Sequence, residues 1–157
     1  MQYQVSILDS DDPQTEFELE LEPTASAIEL ARAIAERLGA EEHDVLEALT
    51  GGDHAVDAAR PLSQYANRRF ILRRVCVDAH FEAEPPRKRL FAARARWERV
   101  HDWACRVFNV APGLCANLEL HLGEPGGPAL NDKERIGEFK GCKIVWLVKP
   151  GAEPNGC

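Results

Sequence analysis

The last nine residues, "KPGAEPNGC", hold the group with the clearest chemical use. Gly156 sits one position before Cys157. If a protease removed Cys157, a glycine carboxylate would remain at the end of a Pro/Gly-rich tail. Carboxylates do not react with amines at neutral pH, so such a group would have to be activated by another enzyme before it could be attached. Glycine suits that chemistry, because a residue without a Cβ threads a narrow cleft and leaves its carbonyl open to a nucleophile. Gly151 follows Val148, the last apolar strand residue, by only three positions, too close to a folded body to reach a buried catalytic centre. The competing reading is an ordinary frayed end, where Gly-Cys is chance.

Other reactive side chains are weaker candidates. His101 and Cys105 stand i, i+4 on a helical pattern, with Cys115 and His121 further along. These are metal-ligand types, yet the spacing is not a strong zinc pattern. The expectation is a buried Cys, a surface His and no metal. Cys and His also suggest a nucleophilic dyad, but nothing in the sequence orients it, so no catalytic residue and no enzyme are expected. "TGGDH" and "EPGGP" lack phosphate-loop spacing, and no cofactor is expected. The five cysteines, 76, 105, 115, 142 and 157, form no CxxC. Their odd count and the lack of a basic n-region in "MQYQVSILDS" predict reduced thiols in a cytoplasmic protein.

Composition narrows the partners. The 157 residues are 45% hydrophobic and 29% charged, an ordinary globular mixture. Net charge is −7, and residues 1–75 carry −8 while residues 76–157 carry +1. The asymmetry suggests two units, and neither has the positive excess that nucleic acid requires. No apolar run approaches the roughly 20 residues of a membrane span.

Two passes of one pattern must position the tail. Met1, Tyr3, Val5 and Ile7 alternate with polar residues, "DSDDPQ" is turn chemistry, and Phe17, Leu19 and Leu21 alternate with glutamates: a hairpin. Ser26 and Glu29 form a capping box. Ala27, Leu30, Ala31, Ile34 and Leu38 then share a helical face that Gly39 closes. Val45–Leu49 reads as a short strand and "FILRRV" as another. Near residue 73 the alternation slips phase, from Phe70 and Leu72 to Val75, Val77, Ala79 and Phe81, marking a junction without a flexible linker. Strands "VCVDAHFEA" and "RKRLFAARA" follow. A helical face runs through Trp97, Val100, Ala104, Val107 and Phe108, and Asn109 suits its left-handed cap. "NLELHLG" and "KIVWLV" are the last strands, and "LNDKERIGEF" parallels the earlier "VDAARPLSQY". Trp97, Trp103 and Trp146 read as core or inter-unit packing.

The opening "MQ", the strand ending "LELEP", the glycine-closed helix and Leu62-Ser63-Gln64-Tyr65 resemble ubiquitin in order and spacing. "NDKERIGEF" and the last strand carry a looser likeness in the second half. The chain is similar to the two-domain ubiquitin-like modifiers, such as the interferon-induced one of vertebrates and those encoded in bacterial antiphage operons. The resemblance implies an α+β fold of two tandem ubiquitin-like β-grasp domains, at 1–74 and 75–149, and a conjugation tail at 150–157. It implies a modifier, bacterial and antiviral, processed at Cys157 and conjugated through Gly156. Its partners would be a ubiquitin-activating-like enzyme, a ubiquitin-conjugating-like enzyme, a processing and deconjugating protease and target proteins, with neither nucleic acid nor membrane among them.

The chain departs from ubiquitin in its tail, which has no paired glycine and no basic "LRLR", so a specialised activating enzyme would be needed. Alignment puts ubiquitin's apolar recognition patch at Ala48 and Arg73 in the first unit, where it is eroded. In the second unit it falls on Leu120 and Leu147, the predicted partner-binding residues; a one-residue register error would instead make them core. Residues 1–87 contain no lysine, and the five lysines are 88, 133, 140, 143 and 149. A protein whose carboxylate attacks lysines gains from offering few, although a high-GC coding bias gives the same composition. Two other functions stay open: a non-conjugated ubiquitin-like interaction module, and a sulfur carrier, against which the tandem architecture and capped tail count.

Overall fold

The computed structural model describes residues 1–12, 14–51, 54–65 and 68–150, so Gly151, Gly156 and Cys157 lie outside the described residues. Strands β1 (Gln2–Asp9) and β2 (Thr15–Glu20) precede helices α1 (Ala27–Leu38) and α2 (Glu42–Ala48). Next come β3 (Leu49–Gly51), β4 (His54–Ala55), a 3-10 turn (Leu62–Gln64), β5 (Arg69–His80) and β6 (Arg87–Ala92). Helices α3 (Trp97–Val107) and α4 (Pro112–Cys115) lead to β7 (Glu119–Leu122) and β8 (Cys142–Val148). The result is a mixed α and β fold, with eight strands in one mixed sheet and four α-helices among the described residues. No helix among them is long and apolar enough to cross a membrane.

The twelve-residue β5 organises everything. Its first half pairs in parallel with β1 and antiparallel with β3, and β1 pairs antiparallel with β2. Its second half pairs in parallel with β8 and antiparallel with β6, and β8 pairs antiparallel with β7. The two half-sheets therefore read β2-β1-β5-β3 and β6-β5-β8-β7, the same order and the same strand directions. β5 is the last strand of one and the first of the other. The expected phase slip is visible in its burial, with Phe70 and Leu72 inward, then Val75, Val77 and Ala79. It occurs within one unbroken strand.

Each half carries a helix entered in the same way. Ser26 caps α1 by accepting from Glu29 N–H at 3.4 Å, and Gly39 closes it at φ 67°. Leu30, Ala31 and Ile34 are fully buried. The leucine and isoleucine side chains contribute about 1.5–3 kcal/mol each by leaving water. Just before α1, Leu62 N–H donates to the Ala25 carbonyl at 3.1 Å; just before α3, Ile136 N–H donates to the Ala95 carbonyl at 2.8 Å. Bridges Ser26–Pro61 and Arg96–Arg135 flank these bonds. So "LNDKERIGEF" occupies the role of "VDAARPLSQY", although only the first forms a 3-10 turn. Asn109 takes the left-handed conformation after α3, at φ 56°.

One element differs from expectation. Val45 to Ala48 is helical, and the strand is reduced to Leu49–Gly51. The reason is local: Glu42 and Asp44 sit in the first turn of α2, where carboxylates stabilise a helix N-terminus.

Candidate functional site

The β7–β8 register decides which side chains the second half-sheet offers to a partner. Leu120 lies opposite Leu147, and Leu122 opposite Val145. These positions face the core cluster that includes Trp97, Val100 and Ala104 of α3. Leu120 is 1% exposed and Leu147 2%. The expectation that this pair forms an exposed recognition patch is therefore corrected. Side chains alternate along a strand, so a one-residue error in alignment exchanges the two faces. In the first half, Ala48 is buried and Arg73 donates to Glu138 at 3.1 Å.

The outer face belongs to the other parity. His80, Trp146 and His121 form a row across β5, β8 and β7. The His80 ring stacks on Trp146 at 4.8 Å and 24°. Ile144, opposite Asp78 one row away, is 42% exposed. His121 Nε2–H donates to Glu119 Oε1 at 2.8 Å, and His80 Nε2 lies 3.4 Å from Asp78 Oδ2. Trp97 and Trp103 are buried as expected, whereas Trp146 belongs to this half-buried outer face.

β8 delivers the chain from that face to its tail. Its last residue is Val148, and Lys149 and Pro150 are exposed. The predicted handle Gly156 and cap Cys157 lie beyond the described residues.

A seam of ion pairs joins the halves, and sequence reasoning missed it. Asp44 on α2 accepts from Arg89 on β6 and, at 2.8 Å, from Arg99 on α3. Arg99 also donates to Glu47. Arg94 donates to the Glu47 carbonyl and, at 3.0 Å, to the Leu46 carbonyl. Burial lowers the pKa of Arg94, Glu47 opposes that shift and Arg135 adds to it. The signal was the i, i+3 spacing of Asp44 and Glu47, informative only once residues 42–48 are read as a helix. Ser10 adds a second tie, accepting from Cys76 N–H at 2.7 Å and donating through Oγ to the Gly141 carbonyl at 2.6 Å.

The cysteines depart from expectation too. Cys76 on β5 and Cys142 on β8 are neighbours in register and form a disulfide, with Cα atoms 4.5 Å apart. Cys105 on α3 and Cys115 at the end of α4 form another, with Cα atoms 5.9 Å apart. Four of the five cysteines are thus paired, correcting the expectation of free thiols. Pairing 66 residues apart depends on the β5–β8 register, which sequence spacing does not reveal. His101, expected at the surface, is 9% exposed beside the second pair, and His121 is engaged elsewhere with Glu119.

No protein-family model matches the chain, and no curated protein matches it.

Proposed function

We propose that this chain is a ubiquitin-like protein modifier built from two tandem β-grasp domains, 1–74 and 75–149, that share β5. The observation that carries the reading is the repeat. Two half-sheets have the same strand order, and each has its helix entry held by a backbone bond to an alanine carbonyl (Leu62 to Ala25, Ile136 to Ala95). The opening "MQ" leads into β1, "LELEP" begins within β2, and Leu62–Gln64 forms the 3-10 turn. In this reading the chain has no active site of its own. Its reactive group is the Gly156 carboxylate, freed by removal of Cys157. An ATP-dependent activating enzyme adenylates it, and a conjugating enzyme carries it to target amines. A role in antiviral defence in bacteria belongs to the same proposal.

The outer face of the second half-sheet favours a docking role for that unit, because β8, the strand that leads to residue 149, carries the exposed Ile144 and the half-buried Trp146 on it. Solvent-facing apolar groups gathered on one face mark partner sites. The first unit acts as a spacer or a separate recognition surface.

Deleting residues 156–157 tests the proposal. A modifier loses attachment to targets and all dependent function. Retention of full function by the truncated chain would make it a non-conjugated interaction module.

A further inference from the structure

We infer that His101, Cys105 and Cys115 form a thiol-switched zinc site, closed as a disulfide when oxidised and binding one Zn²⁺ when reduced. His101 and Cys105 stand one turn apart on α3, and Cys115 comes from the short α4. One imidazole nitrogen and the two Sγ atoms all lie within 4.8 Å of one another. Tetrahedral zinc, with bonds of about 2.3 Å to sulfur and about 2.0 Å to nitrogen, needs N–S edges of about 3.6 Å and an S–S edge of about 3.8 Å. His101 Nδ1 is 3.9 Å from Cys115 Sγ, close to such an edge before any movement.

The imidazole is oriented for this work. His101 Nε2–H donates to the Leu118 carbonyl at 2.9 Å, which leaves Nδ1 as the nitrogen with a lone pair. A backbone carbonyl holding the far ring nitrogen is the arrangement that fixes a metal-binding histidine. Nδ1 faces Cys115 Sγ and, at 3.7 Å, Asp102 Oδ1. Both are electron-rich, so three lone pairs converge where a cation would satisfy them. Asp102, 66% exposed, or a water can fill the fourth position. A cleft bounded by Asp102, Arg106, Val110 and Pro112 gives access to both cysteines.

Opening the site is a balanced exchange. A dithiol reductant becomes a disulfide as the Cys105–Cys115 bond breaks, and its two electrons and two protons leave both sulfurs as thiols. Zn²⁺ then displaces those two protons to solvent as the thiolates bind it. Cys105 lies within the long α3 and Cys115 at the end of the four-residue α4, so the site joins two separate elements.

The test uses the full chain carrying Cys76→Ser, Cys142→Ser and Cys157→Ser, in which Cys105 and Cys115 are the remaining cysteines. After treatment with a phosphine reductant, native mass spectrometry should find one zinc per chain, retained through desalting. Co²⁺ in its place should give the charge-transfer absorption of thiolate ligation. The oxidised chain should take up none. Adding His101→Ala should weaken zinc binding at least about tenfold, a loss that even outer-shell changes produce. No zinc on the reduced triple variant and none at Cys105 and Cys115 of the reduced parent chain would overturn the inference. So would equal uptake by the oxidised and reduced chains, or undiminished affinity after His101→Ala. The test reads zinc on the purified chain with Cys157 replaced, so its outcome is independent of whether the tail is conjugated.

Discussion

Asp44 and Arg99 meet at 2.8 Å across the seam between the two half-sheets, one on α2 and the other on α3. Asp44 is 24% exposed and Arg99 34%, so the pair is only partly screened. Arg89 completes a shared clamp on the same carboxylate. Removing Asp44 leaves two guanidinium groups without this partner, at a cost above that of an isolated surface pair. Asp44→Ala should destabilise the chain by about 1–2 kcal/mol in urea unfolding. A double-mutant cycle with Arg99→Ala should give a coupling energy of at least about 0.5 kcal/mol, as residues within one network do. Strict additivity would mean that the Asp44–Arg99 pair contributes no measurable coupling.

The two faces of β8 should separate stability from recognition. Leu147→Ala truncates a side chain that is 2% exposed and should cost about 2–5 kcal/mol. Ile144→Ala, at a position 42% exposed, should stay within about 1 kcal/mol of the parent and weaken capture by the activating enzyme. Equal stability losses at the two positions, measured by chemical denaturation, would reverse the assignment of faces.

The Cys76–Cys142 disulfide closes a loop of 66 residues between β5 and β8. Loop-closure entropy alone gives it about 4 kcal/mol of stabilisation. Cys76→Ser with Cys142→Ser should therefore lower the urea midpoint substantially and leave the secondary-structure content unchanged by circular dichroism. A midpoint unchanged by the double substitution would show that the backbone ladder and Ser10 already hold that register.

Much of this fold was legible locally. Ser26, Glu29 and Gly39 declared α1 because caps are short-range devices, and the phase slip after Leu72 marked where β5 changes partners. The failures were non-local or turned on one residue. Helix α2 was hidden because Val45–Leu49 is apolar enough for a strand, and only the acidic residues before it argue otherwise. Leu120 and Leu147 lie on the core side rather than the expected outer side, because strand alternation fixes two faces without saying which meets the helix. The disulfides and the arginine seam depend on chain segments that only the completed sheet brings together.

Lysine positions give the conjugation proposal a specific footprint. Lys88, Lys133, Lys140 and Lys149 are exposed, while Lys143 is half-buried with its ammonium 4.6 Å from the Phe139 ring centre and 5.9 Å from that of Trp97. If the protein joins to copies of itself, peptide mapping should find the branch on the four exposed lysines and seldom on Lys143. Branches concentrated on Lys143 would contradict the described packing.

The most direct measurement is the intact mass of the protein recovered from cells that also carry its neighbouring genes. The account predicts loss of the mass of Cys157, together with heavier adducts that vanish when Gly156 is substituted. A full-length mass with no adducts would contradict the modifier reading.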